Sequence, residues 1–483
     1  MDHNKVENTT RTNNKRKFSD INQNESDNMN KNAITNRKRK ATEIDHYQSN
    51  NNYNNKRHSE SIYNERIKKF RINDLLVLNI TKENPLTYTE AINCPEKLKW
   101  IKAINRELKN LYHTKTMTFV RSIPTDANLI NTKWVFTIKR DENNNITKYK
   151  ARLVAKGYKQ EKGKDYNSTY SPTLNTDSIR LMLSIAARLN WKVQQLDIKA
   201  AYLNAKLDVP IYVNIPEGDK KYKKGYWRLE KALYGLKQAG RQWFITISKF
   251  IIKNGFHQLN SEHCIFKRTK NNKLVAMIGL YVDDMIICGT KPEVQRIIQK
   301  IKGKFKISNC ESIKYILGIK IEKQENHYLL SQENLITNLL KQYKITNTKK
   351  TKTPCVGDNA KSENKTPFDI TTYKSAIGSL LYIAKTTRPD IAFSVNKASR
   401  KCENPNKSDW KRVINILKYL NSTKNYKLKI GEIGPINAYT DSDFAGDTED
   451  RKSTSGHLIL FGNSPISWGS KKTIYCSHQY YRS

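Results

Sequence analysis

The sequence predicts an α+β protein. From about residue 85 onward, short apolar runs of strand character alternate with segments of helical spacing. Residues 373–421 then read as two or three helices with no strand between them. Alternating small strands and helices with a helix-rich tail argue for α+β rather than for either pure class. The most telling strand pair is the one around Tyr281-Val282-Asp283-Asp284, where Leu274–Val282 leads in and Met285–Cys288 leads out. It reads as two buried strands joined by a tight turn with the acids at its tip.

Composition bounds the function. The chain has 483 residues, enough for more than one domain. Lys plus Arg number 87 and Asp plus Glu 45, a formal net charge of +42. Such an excess is costly in self-repulsion and favours a polyanionic partner, nucleic acid first and an anionic membrane surface second. No apolar stretch approaches the ~20 residues of a spanning helix, and the N-terminus lacks a signal-peptide apolar region, so no membrane partner is expected. The seven cysteines are scattered without a C-x-x-C pair, which argues against a zinc module and for a reducing, intracellular compartment.

Residues 1–75 predict a disordered basic tail. Asn supplies 16 of the first 70 residues, apolar residues are sparse and no period appears. Two basic clusters in it, Lys15-Arg16-Lys17 and Arg37-Lys38-Arg39-Lys40, have the separation of a bipartite nuclear-import signal, with an import receptor as candidate partner. A solvated basic linker that touches phosphate nonspecifically has the same composition.

The ordered elements follow. Ala91–Leu111 has helical spacing through Leu98, Ile101, Ile104 (or Ala103), Leu108 and Leu111. Lys133–Arg140 and Tyr149–Tyr158 read as strands joined by a polar turn, a hairpin carrying Lys139, Arg140, Lys148, Lys150, Arg152 and Lys156. Such charges commonly mark a solvated face; the functional alternative is a flap that grips a triphosphate. Ile179–Leu189 is a short amphipathic helix with Thr176 or Asp177 available as cap. Val193–Ile198 is a strand that delivers Asp197 near its end. Tyr234–Gln238 introduces a helix carrying Trp243, Phe244, Ile247 and Phe250. Thr290 and Glu293 form a capping-box pattern before a helix with Val294, Ile297, Ile298, Ile301 and Phe305 on one face. Tyr315–Ile321 reads as a strand, Glu333–Tyr343 as a helix and Thr346–Thr366 as a polar linker.

Three carboxylates carry the chemistry. Asp197, Asp283 and Asp284 come from two strand segments, and hard oxygen ligands on a rigid hairpin suit Mg²⁺. Joining nucleotides needs an activated 3′-hydroxyl and a stabilised leaving pyrophosphate, which two metal ions about 3.5–4 Å apart can supply. The hairpin would have to pack beside the Asp197 strand. Asp-Asp in a turn is otherwise ordinary turn chemistry, and Asp197 alone an ordinary strand-end residue.

Longer motifs surround these acids. Gln195-Leu196-Asp197-Ile198-Lys199-Ala200-Ala201-Tyr202-Leu203-Asn204, Lys231-Ala232-Leu233-Tyr234-Gly235-Leu236-Lys237-Gln238-Ala239 and Tyr281-Val282-Asp283-Asp284, in this order, resemble the reverse transcriptase of copia-type LTR retrotransposons. Lys133-Trp134-Val135-Phe136 and Tyr149–Gly157 resemble its fingers, and Thr387–Ile391 and Tyr439–Gly446 its downstream region. The resemblance spans roughly residues 85–472. It implies a right-hand polymerase of fingers, palm and thumb (85–345), a linker (346–366), a helical connection (367–430) and a truncated RNase H-like α/β region (431–483). It implies RNA- and DNA-templated DNA synthesis on a template-primer from deoxynucleoside triphosphates, with two Mg²⁺ ions and Mn²⁺ as substitute.

By motif position the resemblance makes Asp197, Asp283 and Asp284 catalytic metal ligands. Tyr202 resembles the residue under the incoming sugar, where an aromatic ring excludes a 2′-hydroxyl. Gly235, Lys237 and Gln238 resemble the segment against the nascent base pair, where glycine permits close backbone approach. Lys139, Arg140, Lys150 and Arg152 are candidates for triphosphate contact, and Leu317-Gly318 resembles the primer grip. Ala205 stands where the family usually has glycine, and Gly240 where it often has proline or serine. Asp441 resembles the first metal ligand of the RNase H-like region, but no acid follows between Thr473 and Ser483. This end reads as frame-shifted or truncated, the chain as a fragment of a larger polyprotein, and RNase H activity is expected to be absent. An active polymerase implies a cytoplasmic particle, with the product then entering the nucleus. The competing class is an inactive nucleic-acid-binding relic. A generic chromatin-binding protein accounts for the charge but not for the ordered motifs.

Overall fold

The computed structural model describes residues 84–140, 145–222, 224–345, 349–355, 366–447 and 449–476. The import candidates Lys15, Arg16, Lys17, Arg37, Lys38, Arg39 and Lys40 lie outside the described residues, as do the predicted tail, most of the flap turn and much of the predicted linker.

The centre is a six-stranded antiparallel sheet. Its order is Ile307–Ser312, Lys192–Ile198, Asp284–Gly289, Lys273–Tyr281, Ile265–Lys270 and His257–Gln258. Asp284–Gly289 is buried from Met285 onward at successive residues, so both faces of the strand are covered. The helix Thr176–Arg188 packs on this strand, and the helix Lys291–Lys304 packs on it and on Lys192–Ile198. A four-stranded sheet (Met117–Val120, Tyr226–Lys231, Lys206–Asn214, Leu129–Ile130) and the flap hairpin (Thr132–Arg140 with Ile146–Ala155) share the same core. The helix Lys97–His113 is fixed to the flap by Trp100, whose ring lies edge-on to Phe136 at 5.2 Å and to Tyr149 at 4.8 Å.

Several local expectations change. The long N-terminal helix is two helices, Tyr88–Asn93 and Lys97–His113, interrupted at Cys94-Pro95. Its buried stripe is Trp100, Ala103, Ile104, Leu108 and Leu111, whereas Leu98 and Ile101 are exposed. Trp100 sets the phase, because the largest apolar side chain gains most from burial. Neither predicted cap forms. The helix after Asn175 takes Thr176 and Asp177 into its first turn, and Asp177 binds Arg180 instead. Thr290 is an N-cap without a side-chain bond, and Glu293 is drawn to Arg296 and Arg268. Both losses have one reason: an arginine within reach competes for the carboxylate with a charge-assisted bond.

Tyr315–Ile321 is not one strand. Leu317 and Gly318 both have positive φ and turn the chain between Tyr315-Ile316 and Ile319–Lys323. These strands join Tyr328–Ser331 and Leu428–Ile430 in a sheet whose inward side chains belong to the main core. The helix Glu333–Gln342 packs instead with Ile370–Thr386, Ala392–Ser399 and Lys407–Ser422 in a second core. The core boundary therefore falls near residue 332, not in the predicted linker, because Ile336, Leu339 and Leu340 find their apolar partners among the later helices. Last comes a three-stranded sheet of Ile436–Ser442, Lys452–Phe461 and Ser464–Cys476.

One close backbone approach joins the flap to the segment before the central helix. Ala155 N–H donates to Tyr234 O at 2.7 Å. A Cβ on Gly157 would lie 2.0 Å from Gly235 O, and Gly235 itself has φ +90°. Gly157→Ala is therefore expected to destabilise the chain by about 1–3 kcal/mol through forced backbone displacement. A urea midpoint unchanged from the parent would contradict this contact.

Candidate active site

Asp197 and Asp284 are opposite each other in the antiparallel register of Lys192–Ile198 and Asp284–Gly289. Cross-strand partners project to the same face, with Cβ atoms about 4.5–5.5 Å apart. Asp283 occupies the two-residue turn before Asp284, and its carbonyl accepts from Ile198 N–H at 3.1 Å. The hairpin thus packs beside the Asp197 strand, as the sequence required.

The turn is strained. Val282 has φ +54°, a conformation unfavourable for a β-branched residue and costing on the order of 1–3 kcal/mol. The buried Trp243 compensates by donating from its indole Nε1 to Val282 O at 2.7 Å.

The three carboxylates are held differently. Ser308 donates its hydroxyl to Asp197 Oδ2, and Gln195 donates to Asp284 Oδ1 at 3.4 Å. Asp283 Oδ1 is buried without a hydrogen-bond partner. Burial first, and the Asp197 and Asp284 charges against the opposing Arg152 and Lys150, push the Asp283 carboxyl up to about 6. Burial and Asp197 also raise Asp284, against the Gln195 bond. Among the described residues no group of three or more His, Cys, Asp or Glu side chains is arranged to hold a metal ion by itself. An open set with one orphaned carboxylate oxygen still fits Mg²⁺, which keeps waters and uses one or two carboxylates together with substrate phosphates.

The flap reaches this site through aromatic rings. Arg152 lies over Tyr234 at 5.2 Å, and Tyr234 packs against Tyr202 at 5.1 Å between centroids. Tyr202 is buried, two residues after Ala200, whose φ is +53°. Lys150, Arg152, Lys139 and Lys148 share one flap face by the strand register, while Arg140 lies beyond a bulge at the exposed end. Burial and the Arg152, Lys139 and Lys148 charges lower Lys150 to about 8, against Glu107. Glu107 is half-buried by this face with its Oε1 enclosed and unpartnered, its carboxyl raised by burial against Arg152 and Lys150.

Other expectations place differently. Gln238 is fully buried, its amide bonded to Gln160 at 2.9 Å and to Asp165 O at 2.8 Å. Lys237 donates to Gln160 O and the Tyr166 hydroxyl. Gly235 does lie at a close backbone approach, but to Ala155. Asp441 is exposed on the last sheet and accepts from Ser442 N–H at 2.8 Å. Sequence reading missed Tyr234, Ser308, Trp243 and Glu107 as site residues. Only Gln195, two residues before Asp197 on the same strand face, carried a periodicity signal.

Asp283 gives a pH test in chelator. Its carboxyl is raised from 3.8 unfolded to about 6 folded, so the folded state binds more protons in that window and loses stability as pH rises through it. Asp283→Asn is expected to be more stable by about 1–3 kcal/mol above pH 6.5, the gain vanishing below about pH 4. Urea melts at the two pH values check this; an equal difference at both would refute it.

The sequence family described as Reverse transcriptase (RNA-dependent DNA polymerase) matches residues 114–357. The chain is 38% identical over 413 residues, 82% of its length, to the Retrovirus-related Pol polyprotein from transposon TNT 1-94 of Nicotiana tabacum, covering 31% of that protein. It is 34% and 33% identical to the corresponding polyproteins from transposons RE1 and RE2 of Arabidopsis thaliana, over 79% of this chain in each case and 26% and 27% of theirs. The chain spans roughly a quarter to a third of the length of these relatives. It belongs to the reverse transcriptase family, as represented in the Pol polyproteins of copia-type retrotransposons.

Proposed function

We propose that the chain is an RNA-directed DNA polymerase that extends a DNA primer on an RNA or DNA template from deoxynucleoside triphosphates. The observation that carries this reading is the enclosed, unpartnered Oδ1 of Asp283 beside Asp197 and Asp284 at the end of paired strands. The six-stranded sheet would serve as palm and the flap as fingers. The helices Ile370–Thr386, Ala392–Ser399 and Lys407–Ser422 would serve as the helical connection, packed with the helix Glu333–Gln342.

Asp197, Asp283 and Asp284 would hold Mg²⁺, with Mn²⁺ as substitute. When bound, the metal activates the primer 3′-hydroxyl and stabilises the leaving pyrophosphate. Arg152 and Lys150 supply positive charge toward the triphosphate from the flap. Tyr202, fixed by Tyr234, closes the space beside the sugar. RNase H cleavage is not expected of this chain. Among the described residues near Asp441, Asp443 is spent on Gly446 and Thr454 N–H groups, and Asp447 on Arg400 and Lys472. The net charge of +42 suits a template-primer partner. Action in a cytoplasmic particle, with the product passing to the nucleus, is part of the same reading.

Primer extension on an RNA template tests this. Asp283→Asn is expected to lower the rate by about 100-fold or more. Tyr202→Val should raise ribonucleotide incorporation while retaining DNA synthesis. Template-primer binding without extension by the parent chain would identify an inactive relic. The KM for deoxynucleotide should rise as pH passes about 8, where Lys150 loses its proton, and Lys150→Arg should flatten that rise. A parallel rise in both proteins would remove Lys150 from triphosphate binding.

A further inference from the structure

A second charged feature lies outside the carboxylate site. Two adjoining cavities, of about 580 and 420 Å³, share Lys199, Lys304 and Lys306. Lys302 completes the first; Lys115 and Lys231 complete the second. No acid lines either cavity among the described residues, and none of these six ammonium groups is ion-paired there. Lys231 Nζ donates to Thr114 O at 2.6 Å and is depressed by burial and by Lys206, Lys115 and Lys304.

Helix ends do not balance this charge. The helices Lys97–His113 and Lys291–Lys304 both terminate here, and lysines often serve such carbonyl ends. Each end contributes about half a negative charge, so two offset about one of the six positive charges. The remainder is self-repulsive unless an anion is bound. The ligand is compact, because the lysines come from separate segments gathered around one shared open depression rather than along a line. A nucleic-acid strand would instead repeat its phosphates along a surface stripe.

We propose that this groove binds a polyphosphate group of the pyrophosphate type, either free pyrophosphate or the phosphate tail of a nucleotide. Only the first source rests on the polymerase reading, in which pyrophosphate is the product. The groove is well placed for it. Lys199 is two residues beyond Asp197, its N–H donates to Lys306 O at 2.9 Å, and Lys306 is two residues before Ser308, the partner of Asp197.

The test is calorimetric titration of the full chain with inorganic pyrophosphate, and separately with dATP, in chelator and without template or primer. Saturable pyrophosphate binding is expected, weakened about tenfold or more in a Lys199→Gln/Lys306→Gln double variant and retained in Asp283→Asn. Binding in Asp283→Asn does not depend on polymerase activity, so the two readings fail separately. Tighter pyrophosphate than dATP assigns the product; the reverse assigns the nucleotide; equal affinity assigns the shared phosphate group. The double variant should melt at or above the parent temperature, because repulsion is relieved. A clear drop would assign the lysines to helix-end compensation and overturn the proposal. Absent or unaltered pyrophosphate binding would also overturn it. So would lost oligonucleotide binding in the double variant without pyrophosphate binding in the parent, which would make the groove a nucleic-acid surface.

Discussion

The register between Lys192–Ile198 and Asp284–Gly289 governs the molecule. It puts Asp197 opposite Asp284 and brings Asp283 alongside. A slip by one residue would send every side chain of one strand to the other face. The register is held by packing: Leu196, Ile198, Met285, Ile286, Ile287 and Cys288 are all buried, so a shifted pairing would force each side chain into a space shaped for another. Core burial therefore fixes the acids in a place they would not choose electrostatically.

The site and its surroundings share one energetic character. Asp283 is half-buried beside two like charges, Val282 is held at positive φ, and Lys150 is crowded by its own kind on the flap. Glu107 lies half-buried near that flap without a partner for Oε1. Each is unfavourable alone, and each is maintained by rigid neighbours: Trp243 for the turn, Tyr234 for Arg152, Trp100 for the flap. Opposite unbalanced charges stand on facing elements, carboxylates on the sheet and cations on the flap. A ligand carrying both metal and phosphate would relieve both.

Arg180 shows how the remote parts join the sheet. Its side chain is buried, paired with Asp177 at 2.5 Å, and donates to Ile466 O at 2.7 Å and Thr386 O at 2.7 Å. It also lies 4.0 Å from the Trp468 ring centre. One cation thus ties the helix Thr176–Arg188 to the helix Ile370–Thr386 and the last sheet. Such a buried cation is tolerated because its donors meet a carboxylate and carbonyls. Tyr382 adds a second tie, donating to Leu317 O in the Leu317-Gly318 turn.

By itself the sequence determined the strand, turn and helix types around the acids, the basic flap and the identity of the three carboxylates. Element types are local signals, carried by apolar runs and turn residues within a few residues of one another, whereas the carboxylates stood out by the order of longer motifs along the chain. Tertiary structure decided which helix face is buried, as the Trp100 phase over Leu98 and Ile101 shows. It decided that Glu293 and Asp177 serve arginines rather than helix ends, and that Gln238 turns inward. It also decided that the helix Glu333–Gln342 joins the later helices. It alone gathered Lys115, Lys199, Lys231, Lys302, Lys304 and Lys306 into adjoining cavities. The physical reason is common to all of these: each depends on a partner distant in the chain, and neither periodicity nor propensity records which distant surfaces meet.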